Sequence, residues 1–213
     1  MVFANEGLRG LVYRGRRRLW LRERYFIYVR RLDGDLPPVS VAGSIEVRPA
    51  DAAQRASLTR SGPGLGIARY GQLLYPEADC YIAWDGERIA ACCWVSPKNE
   101  PNGLVQLEPG DVVLGLAATI PDYQGRGVYK MLMWHICAAR QQQGDRRAWA
   151  VIRPDNAAPI RTFEKLGFHH DRNVLVIRRF GWQRVRVEVG ASLRAVAPPN
   201  VSEHPKTRHQ PAQ

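Results

Sequence analysis

No stretch of this chain approaches the ~20 apolar residues of a membrane-spanning helix, and the first residues carry neither the uninterrupted apolar segment nor the small-residue cleavage site of a secretory signal. Both absences predict a cytoplasmic protein. Cysteine is scarce: Cys80, Cys92, Cys93 and Cys137 show none of the spaced pairs of a metal site, and three of them lie in apolar runs. They read as reduced core thiols. Neighbours on a strand point to opposite faces, so Cys92 and Cys93 are poorly placed to share a metal, and no metal is expected. Internal repeats are also missing, so the chain is not read as an array of like units.

What is present fits one soluble domain with extensions: 213 residues, 45% hydrophobic and 24% charged. The net charge of +11 is unevenly spread. Residues 1–32 hold nine arginines (Arg9, Arg14, Arg16, Arg17, Arg18, Arg22, Arg24, Arg30 and Arg31) against Glu6 and Glu23. More than half of the surplus therefore belongs to one segment, and a nucleic-acid function of the whole chain is not needed. This segment is expected to dock an anionic surface: acidic phospholipid first, which would place the protein peripherally at a membrane, then an acyl carrier protein, with nucleic acid least favoured. The alternative is a partly solvated leading strand, because Arg24 to Leu32 has strand-like content. The boundaries follow as a basic extension over 1–43, a domain over 44–190 and a disordered tail over 191–213, where Pro, His, Gln and Asn dominate from about Val196.

Within the domain, Ser44 to Arg48 alternates as a short strand. Pro49 and Asp51 open a helix to about Leu58, and after Ser61-Gly-Pro-Gly64 a second short helix is expected over Ile67 to Leu74. Asp85-Gly86 is a hairpin turn between strands Cys80–Trp84 and Arg88–Val95. Val112 to Ile120, after a polar loop, reads as a buried strand, with Gly115 marking a bulge or close approach. Val128, Met131, Leu132, His135, Ile136 and Ala139 recur at three and four and form the buried face of a helix ending at Gly144. His135 on that face reads as a core histidine. Strand Ala148–Ile152, helix Ala157–Leu166 and strands over Val174–Arg178 and Val185–Val189 complete a mixed central sheet flanked by helices on both faces, an α/β sandwich.

Two runs carry the function. Pro121-Asp-Tyr-Gln-Gly-Arg-Gly-Val-Tyr-Lys130 is a Gly-rich turn fed by a buried strand and followed by an amphipathic helix, an arrangement that offers free backbone N–H groups and a helix dipole to phosphate. Asn156 opens a second helix that ends Phe163-Glu-Lys-Leu-Gly-Phe168. A dinucleotide-binding fingerprint would need a third Gly at position 130, which is Lys, and would open the chain. The two runs, in this order and about thirty residues apart, resemble the acyl-CoA-binding core of GNAT-superfamily N-acetyltransferases, and the resemblance covers roughly Ser44 to Arg179.

The resemblance implies a GNAT-like acyl-CoA N-acyltransferase fold with acetyl-CoA as donor and no metal. Gln124 and Gly127 match the family's pyrophosphate turn, and Gln124, Gly125, Arg126, Gly127, Val128 and Tyr129 would bind mainly through backbone N–H groups. Tyr129 stands where the family has a small residue. Ala118, Thr119 and Ile120 would line a strand gap that receives the pantetheine arm, with Gly115 near the bulge. Asn156 matches a residue that contacts that arm, and a plain N-cap is the competing reading. Phe163 stands where many relatives carry a thiolate-protonating Tyr. Asp111 and Glu46 are the nearest carboxylates to a general-base position, and both read equally as ordinary charges; no catalytic side chain is named. The implied reaction is transfer of acetyl to an amine of a small-molecule or peptide acceptor that the sequence does not identify. The alternatives are a longer-chain transferase using acyl carrier protein and a non-catalytic acyl-CoA-binding module; homodimer formation stays open.

Overall fold

The alternation of apolar and charged residues that begins at Trp20 becomes a strand in the middle of the sheet. The computed structural model describes residues 20–39, 45–60, 77–97, 103–179, 182–189 and 192–195. Strand β1 (Trp20–Arg31) is followed by β2 (Ile45–Pro49), helix α1 (Ala52–Arg60), β3 (Asp79–Asp85), β4 (Arg88–Ser96) and β5 (Asp111–Thr119). Then come α2 (Val128–Gln142), β6 (Arg147–Ile152), α3 (Ala157–Lys165), β7 (His169–Arg179), β8 (Trp182–Val189) and β9 (Ser192–Ala195). The sheet order is β2-β3-β4-β5-β6-β1-β7-β8-β9. The β5–β6 pair, joined through α2, is parallel; the other pairings are antiparallel.

Two expectations change here. The boundary at residue 43 does not hold for residues 20–31, because β1 pairs along β6 from Phe26↔Ile152 to Arg31↔Arg147 and along β7 on its other side. The tail does not begin at 191, since Ser192–Ala195 pairs with β8. The helix expected over Ile67 to Leu74, the first nineteen residues and everything beyond 195 lie outside the described residues.

Strand alternation sorts the core. On one face Ala91, Cys93, Val95, Val112 and Leu114 meet Leu132, Ile136 and Cys137 of α2 and Phe163 of α3. On the other, Leu58 of α1 packs with Cys80, Ile82, Cys92 and Trp94, while Leu104 and Val105 cover Ile27, Val29, Val113, Trp149, Val174 and Val176. Helices thus lie on both faces, and Cys92 and Cys93 point to opposite ones. Each aliphatic side chain fully buried in this way contributes roughly 1.5–3 kcal/mol. All four cysteines are buried free thiols, and burial pushes those of Cys92 and Cys137 up to about 12.

Buried charges pin the element ends. Arg140 closes α2 onto Asp145 (2.5 Å) and the start of β3 at Asp79 (2.8 Å). Arg30 is interior and bonds the carbonyls of Leu166 and Asp35, so it belongs to the core and not to a docking surface. Asp111, 2% exposed, accepts two 2.8 Å bonds from Arg147, one from the indole of Trp149 (3.1 Å) and one from the Glu108 amide (3.1 Å). Burial alone would raise its pKa, but these donors outweigh burial and hold the carboxyl below its ordinary range.

A group whose folded pKa is depressed stabilises fully above its unfolded pKa, ~3.9 for Asp, and that stabilisation is lost as pH falls through the lower folded value. Asp111→Asn should cost about 2–3 kcal/mol at pH 7, less than the ~3–5 of a wholly buried broken pair because Arg147 reaches solvent. The variant should also lose less stability than the parent between about pH 5 and 3. Urea unfolding at pH 7 and pH 3.5 checks both, and equal midpoints at pH 7 would show that the pair contributes nothing.

Candidate active site

The site begins where β5 stops pairing regularly. On β4, Trp94 faces Gly115 and Cys92 faces Ala118, so β5 has one residue too many for the ladder, a β-bulge. Leu116 carries it with φ 49°, the one non-glycine among the described residues with a left-handed backbone. Gly115, expected near the bulge, is adjacent to it, and its carbonyl lies 3.6 Å from the Cys93 sulfur.

A bulge bends its strand and increases the local twist, and here it carries β5 away from β6. Their ladder runs from Asp111↔Arg147 to Leu114↔Ala150 and ends there, although β5 continues to Thr119 and β6 to Ile152. Between the two strands a wedge opens, and from Gly115 onward β5 no longer pairs with β6. Ala118 and Thr119 stay paired with β4 on the far side, and the Ile120 amide donates to the Ala90 carbonyl (2.9 Å). Ala118, Thr119 and Ile120 thus lie past the end of the β5–β6 ladder, bonded from the β4 side.

At the wide end of the wedge the chain turns into α2. Pro121–Tyr123 makes one 3₁₀ turn, closed by the Gln124 amide on Pro121 (3.1 Å). Gly125 (φ 75°) and Gly127 (φ 80°) supply the left-handed steps, and Gly127 is the N-cap of α2. The first intrahelical bond comes from Met131 to the Gly127 carbonyl, so the amides of Val128, Tyr129 and Lys130 have no intrahelical acceptor. No side chain caps this end, and no acid stands in the first turn. A Cβ built on Gly125 or Gly127 would meet nothing within 4 Å. The space above the turn is open, and it is backbone conformation that calls for glycine there. Uncapped amides, the positive end of a helix dipole and open space form a receptacle for an anion.

The turn is fastened to the rest of the protein by a residue the sequence did not single out. The Tyr123 hydroxyl donates to Asp85 in the β3–β4 hairpin (2.9 Å), a bond that raises its pKa. Asp122 faces Arg88 at 3.5 Å, and the Arg126 guanidinium sits over the Tyr123 ring at 5.6 Å. Nothing local marks Tyr123, because its partner is 38 residues away.

Across the wedge, β6 leads through Pro154 to α3. Asn156 is its N-cap by position, exposed, with no side-chain cap hydrogen bond. Phe163 is 3% exposed and packs edge-on against Tyr129 (6.3 Å) and Phe168 (4.7 Å). Tyr129, expected to act through its backbone, turns its ring into this contact, and burial raises the pKa of its phenol. The two carboxylates nearest a base position are elsewhere: Asp111 is committed to Arg147 at the opposite end of β5, and Glu46 is an exposed residue of β2, three strands away. His135 is half-buried and its basicity is lowered by burial. Among the described residues no group of His, Cys, Asp and Glu could hold a metal.

The Acetyltransferase (GNAT) family profile matches residues 45–168, more than half of the chain. The [ribosomal protein bS18]-alanine N-acetyltransferases of Salmonella typhimurium and of Escherichia coli K12 are 34% and 33% identical over 76 residues, 36% of this chain and 49% of theirs. The chain thus spans about half the length of these curated relatives. Among solved structures, the GCN5-related N-acetyltransferase of Kribbella flavida aligns with TM-score 0.54 and 15% identity, over 81% of this chain and 65% of that one. The GNAT-family acetyltransferase of Colwellia psychrerythraea aligns with TM-score 0.53 and 14% identity, over 74% and 56%. These likenesses identify the fold as the acyl-CoA N-acyltransferase type.

Tyr123→Phe keeps the ring under Arg126 and removes only the bond to Asp85. The expected result is a folded protein with CoA affinity lowered about three- to tenfold, the worth of one hydrogen bond of ~0.5–1.5 kcal/mol. Calorimetry with CoA measures it; unchanged affinity would show that the turn needs no such anchor.

Proposed function

Because the chain belongs to the Acetyltransferase (GNAT) family, we propose that it takes acetyl from acetyl-CoA and delivers it to an amine. The observation that carries this reading is the early end of the β5–β6 ladder at Leu114↔Ala150 beside the uncapped start of α2. The pyrophosphate would lie on the amides of Gly125 to Tyr129, and Gln124 and Arg126 flank them. The pantetheine arm would run down the wedge along Ala118, Thr119 and Ile120, with Asn156 free to meet it from the other side. The bS18-alanine N-acetyltransferases act on a protein amine, which supports a polypeptide amine as the acceptor class.

The chemistry needs little from side chains. A neutral amine nitrogen attacks the thioester carbonyl carbon, the C–S bond breaks, and the sulfur departs as thiolate while the surplus amine proton passes to water. Rate comes from holding the reactants together and from backbone N–H groups of bulged β5 receiving the oxyanion. A thiol pKa near the ~8.5 of free cysteine makes the thiolate a competent leaving group. A second reading, an acyl-CoA-binding module without turnover, is favoured by one observation: Phe163 has no proton to give.

Two experiments test these readings. Gly127→Asn retains a residue that tolerates left-handed backbone, whereas Gly127→Asp adds negative charge at nearly the same size. The Asn variant should lose CoA affinity modestly and the Asp variant thirtyfold or more by calorimetry; a folded Gly127→Asp protein that binds CoA as the parent does would remove the pyrophosphate site. Loss of a general acid costs ~10²–10⁴-fold where the leaving group needs the proton. A thiolate needs it least, so Phe163→Tyr should raise turnover tenfold or less with CoA affinity nearly unchanged. If both forms bind CoA and neither acetylates any amine in a broad peptide and small-molecule panel, the binding-module reading takes over.

A further inference from the structure

The sheet continues past the end of β6 as an arm of β1, β7 and β8, with β9 beside β8 from Arg186 to Val189. Phe26 is the last β1 partner of β6, at Ile152; residues 20–25 lie beyond it, paired with β7, which is paired in turn with β8. Directly opposed residues of antiparallel strands share a face. Arg22, Ile177 and Arg184 therefore form one row, Arg24, Leu175 and Arg186 the next, and Arg179 stands opposite Trp182 towards the tip. Tyr25, Val174, Val176, Val185 and Val187 point the other way, into the third core cluster. The arginine face is on the helix side of the sheet, since Tyr28, further along the same side of β1, bonds Glu164 of α3 (3.1 Å).

Among the described residues these rows carry five arginines and one acid, Glu188, which is paired with Arg24 at 3.1 Å. Arg22 and Arg184 are exposed. Trp182, at 81% exposure, is the one large apolar side chain left in solvent among the described residues. The sequence count had set the basicity of residues 1–32 apart; the fold joins Arg22 and Arg24 to arginines more than 150 positions later.

Shape and chemistry select the occupant. Helix α3, a cylinder about 10–12 Å across, packs on the same side of β1 at Tyr28, and a linear polyanion can lie along the ledge beside it. Same-face arginines on one strand are about 6.6 Å apart, and the β1 and β8 rows about 9.5 Å apart, a two-dimensional repeat that suits successive phosphates. An acidic peptide would use the guanidinium groups and leave the indole idle; a nucleobase stacks on it. We propose that the β1–β7–β8 face binds single-stranded nucleic acid without base-edge specificity. This is independent of acetyl transfer, and it is measured without CoA.

The test is fluorescence anisotropy of labelled twelve-nucleotide oligo(U) and oligo(dT) with the full chain, against polyglutamate as competitor, with sedimentation of phosphatidylserine vesicles in parallel. Binding in the micromolar range is expected, with log affinity falling against log salt at a slope of about −2 to −3, as for three or four neutralised phosphates on a single strand. The double variant Arg22→Ala/Arg184→Ala should weaken binding tenfold or more and flatten that slope. Trp182→Ala should cost about tenfold and Trp182→Phe much less, with little change in slope. These side chains are exposed, and a circular-dichroism melt confirms that each variant is folded; should the double variant fail to fold, Arg184→Glu alone carries the charge test. Loss with oligo(U) alone assigns RNA, and loss with both assigns single strands in general. Affinity unchanged in both the arginine and Trp182 variants, polyglutamate competing as well as the oligonucleotides, or vesicle binding that depends on these residues where the oligonucleotides do not bind would each overturn the proposal.

Discussion

The parting of β5 from β6 is the constraint on which the rest of the structure depends. A parallel pair held together to its ends would offer no backbone group to a ligand and no space between strands. One extra residue, Leu116, held with φ 49° where an L side chain is strained, bends β5 so that pairing ends at Leu114. That strain lies where the two strands begin to part, in keeping with the way sparsely populated backbone conformations cluster where ligands are gripped. The same bend carries the chain into Pro121–Tyr123 and sets the direction of α2.

A split sheet still needs its separated strand supported, and β1 supplies that support. β6 has only four ladder positions with β5 but runs beside β1 from Arg147 to Ile152. The N-terminal strand thus fixes β6 from the side that the wedge does not use. At the closed end β5 and β6 are pinned by Arg147 and Trp149 donating to Asp111, and β1 is tied to the start of β6 by the Leu32 amide on the Arg146 carbonyl (2.8 Å). The arrangement works like a clothes-peg: bonds concentrated at one end leave the other free for chemistry.

What the sequence made legible was local. Asp85-Gly86 gave the hairpin, the three-and-four spacing from Val128 to Ala139 gave α2, and the two turn glycines have the left-handed backbone that a tight strand-to-helix turn requires. What it hid depends on partners far along the chain. Strand β1 was legible as strand-like residues but not as a neighbour of β6, because its pairing rests on residues some 120 positions away. Gly115 drew attention where a bulge was expected, yet its neighbour Leu116 bears the unusual backbone, a choice made by the β4 register. Tyr123 looked like any turn residue until the fold brought Asp85 beneath its hydroxyl.

Charge makes the same point in another form. In one dimension the arginines of residues 1–32 are a single run. In three dimensions the four of residues 20–31 divide by their place along β1: Arg30 satisfies buried carbonyls, Arg31 pairs with Asp33, and Arg22 and Arg24 look outward beside β7 and β8. Side chains alternate with a period of two along a strand, so Arg22, Arg24 and Arg30 share one face of β1, and one short basic sequence bonds the core at one end of that face and charges the surface at the other. The two duties are compatible because β1 is longer than β6. Its second half is enclosed between β6 and β7, and its first half continues past β6 with β7 still beside it, where Arg22 and Arg24 are exposed.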